Sequence, residues 1–160
     1  MESLTKKFYD LFRGFSNAHG QTEIIDSKKH GKQMSKSYIV REPLSLDLVQ
    51  QHLDGKKGIG SIPIDENNQC RFGALDIDEY NLDLKNLAKK INSLKLPLTL
   101  CRSKSGGAHL YIFLSEPISA TEIRDRLAEF ASALGYGNCE IFPKQEEVIV
   151  ERGDVGNFIN

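Results

Sequence analysis

The sequence lacks the features that mark membrane-spanning and disulfide-rich proteins. It has no apolar run near the roughly 18 residues that a membrane helix needs, and its N-terminus has no signal-peptide core. Its three cysteines, Cys70, Cys101 and Cys139, are odd in number and far apart, and they form neither a C-x-x-C pair nor a zinc-type spacing. We therefore expect a soluble cytoplasmic protein with reduced thiols, no bound zinc and no contact with a membrane.

An excess of charge of one sign is also missing. The formal net charge is −1, so no global positive field indicates a nucleic-acid partner. One segment departs from this balance, because residues 28–41 contain five basic side chains, one histidine and no acidic residue. A solvated loop is the more common explanation of such a segment, and contact with a phosphate backbone is the alternative.

The length allows one domain with a hydrophobic core and is short for two, since 39% of the 160 residues are hydrophobic. We predict a single domain over residues 1–160, with an N-terminal αβ extension at 1–65 and a core at 70–160. The predicted elements of the extension are an amphipathic helix at 2–15, a mobile or partner-ordered loop over about the next twenty residues, a short strand at 37–40, a helix from Ser45 to Gly55 and a strand at 58–64.

The pattern becomes more regular from residue 71 onward. Strands are predicted at 71–78, 98–102, 109–114 and 139–142, and amphipathic helices capped by Asn81 and Ser119 lie between them. The order β-α-β-β-α-β defines the ferredoxin-like fold that RNA-recognition modules share. The predicted fold class is therefore α+β, with an RRM-like core at about 71–143.

Two carboxylates end the first strand of this core. Asp76 and Asp78 project to one side and Ile77 projects to the other, because successive side chains of a strand alternate between faces. Two ionised carboxylates about 5 Å apart repel by roughly 3 kcal/mol at an effective dielectric constant near 20, which favours a bound cation. Acidic residues also end strands where the chain enters a solvated turn, so the pair alone does not decide between the two interpretations.

The predicted topology brings further polar residues to the same end and face of the sheet. The end of the first strand lies beside the starts of the third and fourth, where His109 and Glu140 lie. Three carboxylates without cysteine or paired histidines suit Mg²⁺ or Mn²⁺ better than zinc. Two such ions about 3.5–4 Å apart stabilise the attacking and the leaving oxygen of a phosphoryl displacement. We predict that Asp76, Asp78 and Glu140 are catalytic metal ligands.

The loop from residue 102 to residue 109 combines glycine, hydroxyl and positive charge. Its glycines let backbone N–H groups approach a phosphate, and its serine, lysine and arginine side chains add a hydroxyl and positive charge. A plain hairpin turn with an incidental histidine is the alternative, but the predicted position beside the acids favours nucleotide binding. The predicted nucleotide-binding residues are Arg102, Lys104, Ser105, Gly106, Gly107, His109 and Lys144.

Three segments together resemble the motifs of the archaeo-eukaryotic primase superfamily. They are Leu75-Asp-Ile-Asp78 with its paired acids, Ser105-Gly-Gly-Ala-His109 as a nucleotide motif, and Cys139-Glu-Ile-Phe-Pro-Lys-Gln145 with the third acid. The last segment and residues 52–60 are most similar to the primase-polymerase branch carried by mobile elements, by transposon-encoded conflict systems and beside CRISPR arrays. The resemblance covers roughly residues 48–160 and, loosely, the N-terminal helix.

This resemblance implies a DNA primase-polymerase, which joins nucleoside triphosphates on a single-stranded DNA template and primer with two Mg²⁺ or Mn²⁺ ions. Family members commonly carry a zinc-binding module or a helicase and continue beyond the point where this sequence stops. The resemblance therefore implies a catalytic fragment or a small member, with a helicase or further domains outside this chain.

Two other functions remain open at this point. A ferredoxin-like sheet is a common nucleic-acid platform, so the domain can be a non-catalytic nucleotide or single-strand binding module with Tyr111 and Phe142 as stacking aromatics. A metal-dependent nuclease would use the same acids without Ser105 and His109.

Overall fold

Two antiparallel sheets and four α-helices make up the part of the chain that the structure describes. The computed structural model describes the backbone of residues 2–29 and 32–160 and the side chains of residues 2–25 and 34–160. In chain order the elements are α1 (Leu4–Phe12), β1 (His19–Lys29), β2 (Lys32–Val40), α2 (Leu46–Leu53), β3 (Gly58–Gly60), β4 (Gln69–Ile77), α3 (Leu84–Ser93), β5 (Thr99–Arg102), β6 (Ala108–Ser119), α4 (Ala120–Leu134), β7 (Glu140–Phe142) and a 3₁₀ turn (Val150–Arg152). The predicted α+β class is confirmed.

The C-terminal sheet has the strand order β5-β6-β4-β7, and β4 pairs antiparallel with both β6 and β7. This is the strand order of a ferredoxin-like sheet, as predicted. The helices α3 and α4 cover one face, where apolar side chains of both helices and of the central strands form the main core. Its fully buried members include Leu75, Leu110, Ile123 and Leu127.

Local signals explain where the helices of this core begin and end. The Ser119 side chain accepts a hydrogen bond from the Glu122 N–H at the start of α4, as predicted, and Gly135, with φ of 85°, ends the helix. The predicted cap of α3 is wrong. Asp83 accepts from the Asn86 N–H, while Asn81 lies in the preceding turn with φ of 61°.

The strand β6 extends to residue 119, beyond the predicted end at 114. Polar residues interrupt its apolar alternation there, but pairing with β4 resumes after a bulge between Cys70 and Phe72. Backbone pairing across a bulge is a non-local interaction, so the sequence pattern does not indicate it.

The N-terminal sheet has the order β2-β1-β3 and corrects the prediction of a mobile or partner-ordered loop. The strands β1 and β2 pair from His19 opposite Val40 to Lys29 opposite Lys32, and the short strand predicted at 37–40 is the end of β2. Residues 30–31, within the predicted loop, lie outside the described residues. Sequence analysis misses this sheet because its strands lack a regular apolar alternation. Polar contacts join them instead, such as the hydrogen bond of 2.9 Å that Gln21 Nε2 donates to Tyr38 Oη.

The strand predicted at 58–64 is shorter in the structure. After Gly60 the chain leaves the N-terminal sheet and makes isolated bridges, Ser61 with Ile159 and Ile64 with Cys70. These bridges connect the N-terminal part of the chain to the C-terminal sheet and to the end of the chain.

The second face of the C-terminal sheet is covered by α1. A small aromatic cluster forms there, in which Phe12 of α1 lies 5.2 Å from the ring of Tyr111 and 5.5 Å from the ring of Phe72. Tyr111 and Phe142 are each only 6% exposed, so they are core residues and not exposed stacking platforms. Within the described residues, no helix combines the length and the apolar character that crossing a membrane requires.

Candidate functional site

The strand register places three of the predicted residues in a row at one end of the C-terminal sheet. Asp76 on β4 lies opposite His109 on β6 and opposite Glu140 on β7. Residues paired directly across antiparallel strands share a face, so Asp76 stands between the other two side chains. Asp78 lies just beyond the end of β4.

Both ring nitrogens of His109 have a polar neighbour. Its Nε2 lies 3.4 Å from Asp76 Oδ1, and its Nδ1 lies 3.2 Å from Tyr111 Oη. The Tyr111 hydroxyl donates its single proton to the Asn160 backbone carbonyl at 3.2 Å, so the His109 Nδ1–H donates to the Tyr111 oxygen. Burial, followed by Cys101 and Asp76, raises the pKa of Tyr111, which keeps this hydroxyl protonated.

The glycine turn, residues 103–107, lies against the end of β4. Ser105 Oγ donates to Asp78 Oδ1 at 3.0 Å, and Ser103 Oγ lies 3.0 Å from Ser105 Oγ. Gly106 has φ of 96°, and its N–H donates to the Ser103 carbonyl oxygen at 3.2 Å. The Gly106 N–H is therefore occupied within the turn, and the polar group of the turn that contacts an acid is the Ser105 hydroxyl.

Gly107 sets the distance between the glycine turn and β4. A Cβ atom at this position would lie 2.0 Å from the Ile77 carbonyl oxygen, which is far inside van der Waals contact. Only glycine therefore allows the turn to pack so closely, and this contact keeps Ser105 beside Asp78.

The predicted basic residues separate into two groups. Arg102 and Lys104 line the cleft beside Ser105. Lys144 lies instead on the other side of the acids, with its Nζ 3.0 Å from Glu140 Oε2 and 5.1 Å from the centroid of the Phe142 ring. Positive charge thus flanks the acidic row on both sides.

Two clefts meet at the paired acids. The large cleft, of about 710 Å³, has Asp76, Asp78, His109 and the glycine turn on one wall; its other lining residues are Thr22, Ser35, Ser37, His52, Gly58, Ile59, Arg102 and Asn160. The small cleft, of about 450 Å³, runs between the same two aspartates and residues 135–140, which include Glu140. A molecule in either cleft would touch Asp76 and Asp78.

An apolar recess of about 270 Å³ adjoins the large cleft. The aromatic side chains of Phe8, Phe12 and Tyr111 line it, together with His52 and His109, which also line the large cleft. The cleft therefore offers a polar, charged part beside the glycine turn and an apolar, aromatic part beneath α1.

Hydroxyl groups of the N-terminal sheet form the wall opposite the acids. Thr22 Oγ1 donates to Asn160 Oδ1 at 2.8 Å, and Ser37 Oγ lies 2.9 Å from Thr22 Oγ1. Because the backbone carbonyl of Asn160 also accepts from Tyr111, this one residue connects β1 to β6. The side chains of this wall offer hydroxyl and amide groups, in contrast to the carboxylates that they face.

Sequence reasoning missed the residues of this wall. Thr22, Ser37 and Asn160 belong to polar segments without a periodic pattern, and only the pairing of β1 with β2 brings the first two together. His52 lay within a segment that resembled the primase-polymerase branch, but no role was predicted for it.

The acids are paired with protein groups and do not form a ready-made metal cage. Among the described residues, no group of three Asp, Glu, His or Cys side chains is arranged to hold an ion. Asp78 accepts from Ser105 and Glu140 is paired with Lys144. The donor set still fits a hard divalent cation, because all three acids offer carboxylate oxygens and Asp76 faces Glu140 directly, an arrangement that repels without positive charge.

The fold and the site together define a ferredoxin-like domain with an acidic, two-sided cleft beside a serine-glycine turn. The family model of the archaeo-eukaryotic primase domain of TOTE conflict systems matches residues 10–160, and the chain belongs to this family. The resemblance seen in the three motifs is confirmed. The match also includes the strands β1 and β2, which lay outside the region of the motif resemblance.

None of the curated proteins compared with the chain matches it. The family assignment therefore comes from the family model and agrees with the motifs.

Proposed function

We propose that this domain catalyses template-directed nucleotidyl transfer, as a DNA primase-polymerase that uses nucleoside triphosphates. The observation that supports this proposal best is the strand register, which sets Asp76 between His109 and Glu140 while Ser105 donates to Asp78. We propose single-stranded DNA template and primer as partners, and a helicase or further domains outside this chain.

Asp76, Asp78 and Glu140 would hold two Mg²⁺ or Mn²⁺ ions, which supply charge stabilisation to the attacking hydroxyl and to the leaving pyrophosphate. For Glu140 to take part, its carboxylate must exchange the ammonium group of Lys144 for an ion. The side chain of Lys144 is then free to neutralise a phosphate oxygen nearby.

The remaining residues bind and orient the triphosphate in this proposal. Arg102 and Lys104 provide positive charge along the large cleft, and the Ser105 hydroxyl can turn from Asp78 to a phosphate oxygen. Because Tyr111 fixes the ring of His109, its Nε2 stays directed at Asp76 on the wall of the large cleft.

The structure weakens the alternative of a non-catalytic single-strand platform. Such platforms stack bases on exposed aromatic side chains, whereas Tyr111 and Phe142 are buried beneath α1. One observation favours a non-catalytic nucleotide binder, since Ser105 and Lys144 already satisfy two of the three acids without an ion. A nuclease would not need the serine-glycine turn beside its acids.

The test is a synthesis assay with the purified chain, a primed single-stranded DNA template, labelled nucleotides and Mn²⁺. We expect extended product from the wild type and none from Asp76→Ala. Asp125→Ala is the matched control, because Asp125 lies exposed on α4 away from the site, and its product should equal that of the wild type.

Two results would contradict the proposal. One is absence of product from folded wild-type protein, and the other is equal product from Asp76→Ala and the wild type. Nicking of DNA without added nucleotides would favour the nuclease instead. Triphosphate binding that does not respond to Mn²⁺ would favour the non-catalytic binder.

A further inference from the structure

We propose that His52 reads the sugar of the bound nucleotide, with its Nε2 accepting a hydrogen bond from a sugar hydroxyl. This inference rests on the proposed function, because it assumes that a nucleoside triphosphate occupies the large cleft. His52 is not one of the three acids proposed to hold the metal ions. It lies in the N-terminal part of the chain, near the end of α2.

The ring of His52 is fixed in one orientation by its neighbours. Its Nδ1 lies 3.0 Å from the Lys57 carbonyl oxygen, and its ring centroid lies 5.8 Å from that of Phe8. A carbonyl oxygen only accepts hydrogen bonds, so the proton is on Nδ1 and Nε2 of the neutral ring is an acceptor. The contact with Lys57 thus determines what the ring can offer to a ligand.

The position of His52 matches the expected place of the sugar. The residue lines both the polar large cleft and the apolar recess, so it stands at their junction. Phosphates belong beside Lys104 and Ser105, which line the large cleft but not the recess and supply positive charge and a hydroxyl. A base belongs in the apolar recess, where the half-buried rings of Phe8 and Phe12 are accessible. The sugar joins these two parts of a nucleotide, and an acceptor at the junction meets its hydroxyl donors.

The 2′- and 3′-hydroxyls have the same donor chemistry, and comparison of nucleotide analogues distinguishes them. His52 is partly exposed, so water replaces a lost sugar hydroxyl, and the discrimination stays modest. A net neutral hydrogen bond corresponds to an affinity difference of about three- to tenfold. We therefore expect one of the two deoxy analogues to bind about fivefold more weakly than the full ribonucleotide.

The experiment measures the equilibrium affinity of the chain for ATP, 2′-deoxy-ATP and 3′-deoxy-ATP in Mn²⁺, by calorimetric titration. The wild type should discriminate against one analogue, which identifies the hydroxyl that His52 reads. His52→Asn should bind all three nucleotides equally, because the Asn amide N–H replaces Nδ1–H at the Lys57 carbonyl but nothing replaces Nε2. His52→Gln should keep part of the discrimination, because its side-chain oxygen reaches towards the Nε2 position.

Equal affinity of the wild type for all three nucleotides would overturn the role of His52 and leave the proposed function standing. Discrimination that persists unchanged in His52→Asn would do the same. A wild type that binds no triphosphate at all would overturn both proposals. The wild-type comparison needs no variant to fold, and melting temperatures of the two variants show whether the loop between α2 and β3 is intact.

Discussion

The two sheets of this domain differ in how they are built and in what they bring to the large cleft. The C-terminal sheet is covered by helices on both faces, and its central strands have fully buried side chains such as Phe72 and Leu110. The N-terminal sheet leaves apolar side chains exposed, among them Ile24 and Met34, and its strands are joined by polar cross-strand contacts.

The charges follow the same division. The four-stranded sheet holds the acidic row in a register that its core enforces, while the three-stranded sheet lends uncharged hydroxyls through Thr22 and Ser37. We infer that the well-packed C-terminal sheet provides the proposed catalytic acids. The less buried N-terminal sheet then provides the opposite wall of the large cleft, which positions the ligand. Three substitutions test that division, from the largest expected effect to the smallest, and a pH profile then tests the burial of β4.

Loss of the central acid should remove activity without weakening the fold. Asp76→Asn should reduce nucleotide incorporation on the order of 1000-fold, or about 4 kcal/mol, since a proposed metal ligand is lost. The melting temperature should change little, because the lost contact with His109 offsets the relieved repulsion between Asp76 and Glu140. Asp125→Asn is the control. A melting temperature that drops by many degrees with Asp76→Asn would mean that the acid serves the fold.

A methyl group at the glycine turn should affect stability most. Gly107→Ala should lower the free energy of unfolding by about 1–3 kcal/mol, because its Cβ would lie 2.0 Å from the Ile77 carbonyl oxygen. Gly137→Ala, whose Cβ would meet its nearest atom, Ser132 Oγ, at 3.4 Å, should change it far less. Urea denaturation measures both. Equal effects of the two substitutions would contradict the close packing of the turn against β4.

Cutting the link between the sheets should weaken both triphosphate binding and folding slightly. Thr22→Val removes the donor to Asn160, and we expect triphosphate affinity to fall about threefold with a loss of about 1 kcal/mol in stability. Thr99→Val makes the same change on the exposed edge strand β5 and should leave affinity unchanged. If both valine variants bind triphosphate as the wild type does, the wall of the N-terminal sheet has no part in placing the ligand.

Alkaline pH should act through a buried thiol of β4. Burial raises the pKa of Cys70 from 9.0 to about 12, so the folded state keeps a proton that the unfolded state loses. The unfolding free energy should therefore be unaffected below pH 9.0 and fall as pH rises towards about 12, by about 1.4 kcal/mol per pH unit. Cys70→Ala should flatten this dependence between pH 9 and 11, relative to Cys101→Ala. Parallel pH profiles for the two variants would contradict the assignment.

The sequence predicted most of one sheet and little of the other, for physical reasons. The helices that pack on the C-terminal sheet have apolar stripes and local caps such as Ser119. Four strands alternating with two helices can form only a few topologies. Asp76, His109 and Glu140 therefore converge in the prediction as they do in the structure. The cap of α3 was missed because Asn81 and Asp83 are both good cap residues two positions apart.

The N-terminal sheet carries no comparable local signal. Its strands are joined by polar contacts. The sequence of β1 alone is typical of a polar loop, and only its pairing with β2 makes it a strand. The roles of His52, Thr22 and Asn160 depend on how one sheet lies against the other, and periodicity along the chain does not contain that information.

A crystal soaked with Mn²⁺ and a non-hydrolysable nucleoside triphosphate tests the central claim most directly. We predict anomalous density for Mn²⁺ between the carboxylates of Asp76, Asp78 and Glu140, with Glu140 turned away from Lys144 and the triphosphate beside Ser105. Triphosphate bound with no Mn²⁺ at these carboxylates, or Mn²⁺ bound only elsewhere, would contradict the claim that this acidic row is the centre of a nucleotidyl transfer reaction.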